Sequence, residues 1–419
     1  MDAWRSFFRR EEFARHRFTA LVPSRPTADI MHGDLECRYT FPTPEGDAPA
    51  LLNLPWQRAN RETTPAPYRI LTTDLKERDV VLGGLKKAAA CLRLAAGRRG
   101  HTVVLNSACV PDLTGEDAAM LLAPYKAAPV LYHPSDGKDI APLMLRDLLR
   151  LSGLRTARRV PGSVNLVGYP GGRAQQELAE LLARAKVRVR ARLIPGLSPK
   201  ALRRACSASC NVVFTAQFLE SLCRTLLEEI RLPVVRPPSP YGLEGSKAWL
   251  DAAAASVGRD GSAAWRRAAL RILPEWAELT RQARDYRLGF ILDPSELAKL
   301  SDPAWNAGVP LVDAIKEMGF GIDYLVYGEH AGRPGPEERH RLFSFRSEDE
   351  LDALVRGRGC HAFYSDCFRD RRLTRRGKTQ FSLDAFEPGP QGALRTLRRL
   401  LDACRLPFYA RHGGYLAEA

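Results

Sequence analysis

Three times along this chain an apolar run rich in β-formers ends at a loop and gives way to a helical stretch, and this alternation restricts the fold more than any other feature. In the first segment HTVVLNSA (101–108) and APVLYHP (128–134) read as strands on either side of a helix expected over about 115–126. In the second, SVNLVGYPGG (163–172) is a strand running into a Gly/Pro loop, followed by a helix RAQQELAELLARAK (173–186), then VRVRARL (187–193) and NVVFT (211–215) as strands. In the third, YRLGFILDP (286–294) opens, PLVDAIKEMG (310–319) is helical, and IDYLVYG (322–328) and CHAFYSD (360–366) continue as strands. Alternation of this kind is the mark of α/β proteins built on doubly wound parallel sheets. The expectation is three such domains, at 1–160, 161–285 and 286–419, with boundaries at RTARRVPG (155–162) and RQARDY (281–286). In parallel sheets ligands sit beyond the carboxyl ends of strands, so the residues just past HTVVL, VNLVG and FILD are the places to look for a site.

A chain of 419 residues, 45% of them hydrophobic, has ample material for two or three cores. No apolar run approaches the roughly 18 residues that span a membrane, and MDAWRSFFRREEFARHRF lacks a secretory h-region. A cytoplasmic protein without a membrane partner is expected. Nine cysteines at irregular spacing do not form a disulfide framework, and neither Cys206/Cys210 nor Cys360/Cys367 has zinc-knuckle spacing. The net charge of +15 raises the question of nucleic acid, but arginine is spread along the chain without interleaved aromatics or a nucleic-acid-binding signature. The reading is a solvated basic surface, with an acidic protein partner as the functional alternative and no nucleic acid. There is no G-x-x-x-x-G-K-[ST], and GYPGG (168–172) is not G-x-G-x-x-G, so this chain is expected to bind no nucleotide. No G-x-S-x-G or H-E-x-x-H occurs either.

Two cysteines stand apart because of their setting. Cys37 lies in ADIMHGDLECRYTFP, where an apolar stretch ends at His32-Gly33 and an acidic turn. Cys109 lies in NSACVPDLTGED (106–117), where a strand runs out, a proline-broken turn follows, and Thr114 with Asp117 is expected to cap the next helix. A thiol just upstream of a helix start feels the positive end of the dipole, which favours its metal-ligating form. A buried, inert cysteine is the other reading of the same residues.

TTDLKERDVVLGGLKKA (72–88), NSACVPDLTGED, VNLVGYPGG (164–172), PYGLEGSKAWL (240–250) and GKTQFSLDAFEPGPQGALRTLRRLL (377–401) together resemble the nitrogenase component 1 superfamily in order and spacing. The resemblance implies three Rossmann-like α/β domains of nitrogenase component 1 type, with the first domain binding an iron-sulfur cluster. It likens MHGDLEC (31–37) to the family's H-G-P-x-G-C ligand loop and SACVPDLTGED to its last-ligand motif, which assigns Cys37 and Cys109 to the metal. A third cysteine usual in the family is absent from ARHRFTAL (14–21), where Arg15 or His16 stands instead, so a partner subunit, or Asp34 or Glu36, would complete the set. The two anchors of the family's catalytic cofactor fall near Thr215 and Pro388, which are neither cysteine nor histidine. The resemblance therefore implies the β-like subunit of a nitrogenase-like reductase, most specifically methylthio-alkane reductase. Such a subunit shares a cluster (8Fe-7S like a P-cluster, or 4Fe-4S) with a homologous α-like subunit in an α2β2 heterotetramer, and electrons come from an ATP-dependent 4Fe-4S reductase homodimer. A scaffold subunit for cofactor assembly and a subunit of a dark-operative tetrapyrrole reductase are the alternatives.

Overall fold

The computed structural model describes residues 22–23, 27–40, 68–96, 102–125, 130–133, 157–194, 196–197, 199–328, 339–357, 359–365, 370–406 and 408–412, with isolated positions between 145 and 154. The expected ligand stretch ARHRFTAL and Cys367 lie outside the described residues.

The first element among the described residues is a two-residue strand, β1 (Val22–Pro23). The first sheet contains β2 (Thr27–His32), β3 (Tyr68–Thr72), β4 (Thr102–Ser107) and β5 (Val130–His133), side by side in the order β3-β2-β4-β5. The second contains β6 (Ser163–Val167), β7 (Arg188–Leu193), β9 (Cys210–Val213) and β10 (Val234–Val235), in the order β10-β9-β6-β7. Between β7 and β9 a short strand β8 (Gly196–Leu197) pairs with β1. The third contains β11 (Arg287–Leu292), β12 (Gly321–Tyr327), β13 (His340–Phe345), β14 (Ala362–Tyr364) and β15 (Thr379–Phe381), in the order β13-β12-β11-β14-β15. Every pairing among the described residues is parallel. The expected class, α/β with three doubly wound Rossmann-like sheets, is the observed one.

Strands covered by helices on both faces read as near-continuous apolar runs rather than alternating ones. All of β6 and β9 is buried, as is β12 up to its last residue. In the first sheet Ala28 and Ile30 of β2 and Val103 and Leu105 of β4 face the helix Leu85–Ala96, which returns Ala88, Leu92 and Ala95. That helical spacing of four and then three residues makes a single stripe. Val104 and Leu131 point the other way, into a continuous core shared with the second and third sheets. Each sheet also carries one polar contact across its inner strands. Asn106 donates to Asp29 in the first. In the second, Asn165 donates to Asn211 at 2.8 Å. Asp323 accepts from Arg287 and Arg341 in the third.

One arginine-rich run is an edge strand. β7 pairs within its sheet only with β6, sends Ala191 and Leu193 into the core and carries Arg188 and Arg192 exposed. The register slips between Val164/Asn165 of β6 and Val189/Ala191 of β7, so Arg190 bulges out of the ladder and its guanidinium donates to Ser207 Oγ at 3.1 and 2.9 Å. Among the described residues no helix is long and apolar enough to cross a membrane.

Candidate functional site

In the first sheet β3 lies to one side of β2 while β4 and β5 lie to the other, so the chain leaves the carboxyl ends of β2 and β4 in opposite directions. A doubly wound sheet opens its ligand crevice at such a reversal of strand order. Both candidate thiols are at this point. β2 ends at His32, Gly33 and Asp34 follow, and Cys37 sits in the first turn of the helix Leu35–Thr40. β4 ends at Ser107, in register with His32, and Cys109 is the first residue of the helix Cys109–Leu113.

The local sequence explains both turns. Asp34 caps its helix by accepting from the Cys37 amide at 2.9 Å, a bond that side chains of this type make to the third helical residue. The Cys37 amide and thiol hold the Asp34 carboxyl below its ordinary range. Asp34 is thereby engaged with the helix, and Glu36 is exposed. On the other loop the expectation of Thr114 as an N-cap is corrected: the helix begins at Cys109 behind Ala108, and Thr114 is its C-cap, its hydroxyl donating to Pro111 O at 3.0 Å. Asp117 accepts from Ala119 at 3.1 Å and starts a 3-10 stretch, Ala118–Tyr125, where an α-helix was expected. Cys109 is thus in the first helical turn itself.

The two loops touch. The Ala108 amide donates to His32 O at 2.9 Å, and Gly33 lies so close that an added Cβ would stand 2.6 Å from Ala108 Cβ and 3.3 Å from Cys37 Sγ. Burial pushes the Cys37 thiol above its ordinary range, and the Asp34 carboxylate and Cys109 push it the same way. A thiol so placed ligates when a cation is there to offset the added negative charge, which a metal centre supplies. Cys37 is half-buried and Cys109 exposed. The donor set fits an iron-sulfur group in kind, with two soft thiols at a crevice that no Gly33 side chain closes. It falls short in number: among the described residues no three His, Cys, Asp or Glu side chains form a metal-holding group.

Exposed apolar side chains stand among exposed Glu36 and Asp112 on the helices that carry the thiols. Leu35 precedes Cys37 on its helix, and Leu113, at 85% exposure, ends the helix of Cys109. Val81, at 82%, and Leu82 are exposed at the end of the helix Glu77–Leu82, and Met120 is exposed in the 3-10 stretch Ala118–Tyr125.

Behind the crevice lies a buried polar chain that sequence reasoning did not pick out. The fully buried His32 places Nε2 3.0 Å from Glu116 Oε2 and Nδ1 3.2 Å from Thr73 Oγ1. Thr73 Oγ1 accepts from the Gly33 amide at 3.0 Å, and the other Glu116 oxygen accepts from the Gly84 amide at 2.6 Å. Their sequence signal is that Thr73 and Glu116 both fall inside TTDLKERD and LTGED, stretches already singled out.

Among the described residues the other two strand-end regions expose no thiol, Cys223 beside Gly168 being buried. Beyond β6 and β9, Tyr169 and Phe214 meet with ring centroids 5.1 Å apart, Tyr169 meets Trp249 edge-on, and Tyr241 closes the group. Thr215 is half-buried and Pro388 buried there, with the Gly389 amide donating to Pro240 O at 2.7 Å. Beyond β11, Asp293 and Glu296 form a capping box for the short helix Pro294–Leu297. None of the eight described cysteines forms a disulfide. Cys91 packs its half-buried side chain against the first sheet's core.

The solved structure of nitrogenase Cp1 at pH 5 superposes on this chain with a TM-score of 0.63 at 12% identity, covering 95% of this chain and 88% of that one. Nitrogenase Cp1 at pH 6.5 gives 0.61 at 12% identity, over 93% and 88%. At such identity the likeness is one of fold. No curated protein matches the sequence significantly. The sequence model of one family, the nitrogenase component 1 type oxidoreductases, matches residues 53–342, and the chain belongs to that family.

Proposed function

We propose that this chain is the β-like subunit of a nitrogenase-like reductase, and that Cys37 and Cys109 of its N-terminal unit, residues 1–160, hold part of an iron-sulfur cluster shared with a homologous α-like subunit. Nitrogenase component 1 proteins carry iron-sulfur clusters and work with a homologous subunit and a reductase. The observation that carries the reading is the pair of thiols on neighbouring strand ends at the strand-order reversal, incomplete as a ligand set among the described residues and with Leu35 and Leu113 exposed on the same two helices. A half-set of ligands with exposed leucines beside it is what one side of a shared centre looks like. The partner subunit would bring the remaining ligands and cover Leu113 and Val81.

When bound, an iron-sulfur cluster supplies one-electron transfer at a potential set by burial, charge and hydrogen bonds to its sulfurs. The chain's own contribution is to present two sulfurs at one edge, to fix the Cys37 helix through Asp34, and to let the loops close without a Gly33 side chain. Leu35, Leu113 and Val81 exclude water once covered. Electrons reach the assembled complex from an ATP-dependent 4Fe-4S reductase homodimer and leave at a metal-cofactor site housed mainly in the α-like subunit. Thr215 and Pro388 support that division, because neither side chain can anchor such a cofactor. Methylthio-alkane reduction is the specific activity we put forward for the α2β2 complex.

Anaerobic co-purification with its α-like subunit, followed by iron analysis and EPR, tests the reading. Cys37→Ala and Cys109→Ala should each lower the iron content and alter the spectrum. Unchanged iron and an unchanged spectrum in both variants would overturn the ligand assignment. Turnover of a small methylthio-alkane by the complex with its reductase tests the activity, and iron retention without turnover would favour the assembly scaffold.

A further inference from the structure

We propose that His32, Thr73 and Glu116 form a buried positioning clamp that fixes the Cys37 loop against the Cys109 loop, so that the two sulfurs are set at one spacing before any metal arrives. The inference rests on the reading that both sulfurs are ligands. It adds residues that reach the centre only through the backbone.

The clamp joins all three loops that leave the carboxyl ends of β3, β2 and β4. Thr73, just past β3, accepts from the Gly33 amide at 3.0 Å, and its one hydroxyl proton is within reach of either Gly33 O at 3.1 Å or His32 Nδ1 at 3.2 Å. The Leu75 amide adds a bond to Gly33 O at 2.9 Å. Glu116, beyond the helix that begins at Cys109, reaches across to His32 Nε2 at 3.0 Å and to the Gly84 amide at 2.6 Å. Gly84 must be bare for this approach, since a Cβ there would stand 2.9 Å from His32 Cε1 and 2.5 Å from Leu75 Cδ2. His32 is the joint: with the proton on Nε2 it donates to Glu116, and Nδ1 accepts from the Thr73 hydroxyl. The imidazole is fully buried and the Glu116 side chain nearly so. Water cannot replace either partner, and removing one leaves the other unsatisfied. Outer partners that orient ligand-bearing elements typically change metal affinity by about 10- to 100-fold when removed.

Glutamine at 116 separates positioning from charge. Its amide oxygen can accept from Gly84 while its NH2 donates to Nε2, the imidazole then carrying its proton on Nδ1 and donating to Thr73. Leucine at 116 can do neither.

The test uses the full-length, iron-free, reduced chain titrated anaerobically with cadmium alone and read by thiolate-to-metal charge-transfer absorbance. A variant with both Cys37 and Cys109 changed to serine gives the contribution of the other thiols. Glu116→Leu should weaken the binding that depends on the two cysteines by about tenfold or more, and Glu116→Gln should recover most of it. A role confined to stability would lower the unfolding midpoint of the leucine variant and leave the cadmium affinity of the folded protein within about twofold of the parent. That result overturns the proposal. Should Glu116→Leu fail to fold, Thr73→Val removes only a hydroxyl, and unchanged affinity there overturns the proposal equally. Absence of cysteine-dependent cadmium binding in the parent overturns it as well. If the parent binds cadmium through both thiols and the variants behave as expected while the assembled complex holds no iron, the clamp stands and the cluster reading falls.

Discussion

Gly33 and Ala108 approach each other so closely that a Cβ on the glycine would come within 2.6 Å of the alanine's, and this contact seats the two cysteine loops side by side. Gly33→Ala therefore forces the loops apart. Overpacking of this kind costs about 1–3 kcal/mol, and a shift of the unfolding midpoint in urea should register it. Cadmium binding by Cys37 and Cys109 should weaken in the same variant. Parental values of both would mean that the loops have room to spare.

Acid sensitivity should trace to Asp323 in the third sheet. Its carboxylate is fully buried, accepts from Arg341 Nε at 2.8 Å and Arg287 Nε at 3.0 Å, and has Cys360 Sγ at 3.2 Å. Burial alone would raise its pKa, but the hydrogen bonds from Arg341 and Arg287 outweigh it and hold the carboxyl below the ordinary range. A depressed native value means stability that is present above the unfolded value, about 3.9, and lost as pH falls through the lower native one. Asp323→Asn should lose about 3–5 kcal/mol near neutral pH by leaving two arginines poorly paired, and should show a flatter decline below about pH 4. Urea unfolding across a pH series reads both effects.

Glu317 behaves in the opposite sense. It accepts from the Leu243 and Glu244 amides at 2.9 Å each, closing the start of the helix Gly242–Ala255, and burial raises its carboxyl above the ordinary range in spite of those bonds. A raised native value gives stability at low pH that is lost as pH rises through it. Glu317→Gln, which keeps an acceptor without a charge, should match or exceed the parent in stability at neutral pH. Glu317→Ala should lose about 1–3 kcal/mol, because two amides lose their partner. Thermal unfolding of the pair decides the point.

The aromatic group beyond the second sheet should matter to folding and not to the thiols. Trp249 Nε1 donates to Tyr169 Oη at 2.7 Å, and both side chains are fully buried. Tyr169→Phe strands the indole N–H and should destabilise by about 1–3 kcal/mol in equilibrium unfolding. Cadmium affinity at Cys37 and Cys109 should stay at the parental value, since the two places share no partners.

The sequence made the buried strands plain because a strand covered on both faces reads as a near-continuous apolar run, which single polar residues such as Asn165, Asn211 and Asp323 interrupt in β6, β9 and β12 without hiding it. β2 was harder to see: Asp29 and His32 interrupt it, and both are acceptable inside only because Asn106, Glu116 and Thr73 arrive from elsewhere in the chain. The turn at Cys109 was misread for a local reason. Pro111 suggests a break, but proline is tolerated in the first turn of a helix, where its missing N–H would have had no partner. The pairing of the two cysteine loops rested on a family resemblance rather than on spacing, and the geometry that joins them runs through contacts 41 and 84 residues apart. No periodicity reports such contacts.

β7 gives part of the chain's positive charge a purpose that needs no partner. An exposed parallel edge invites another strand, and a bulge together with like charges along that edge makes any such visitor unwelcome. Arg190 breaks the spacing of the ladder while Arg188 and Arg192 set up repulsion against a second copy of the same edge. The arginine run thus acts as a guard against self-templated aggregation, most needed while the chain is newly made and its neighbours are unfolded too.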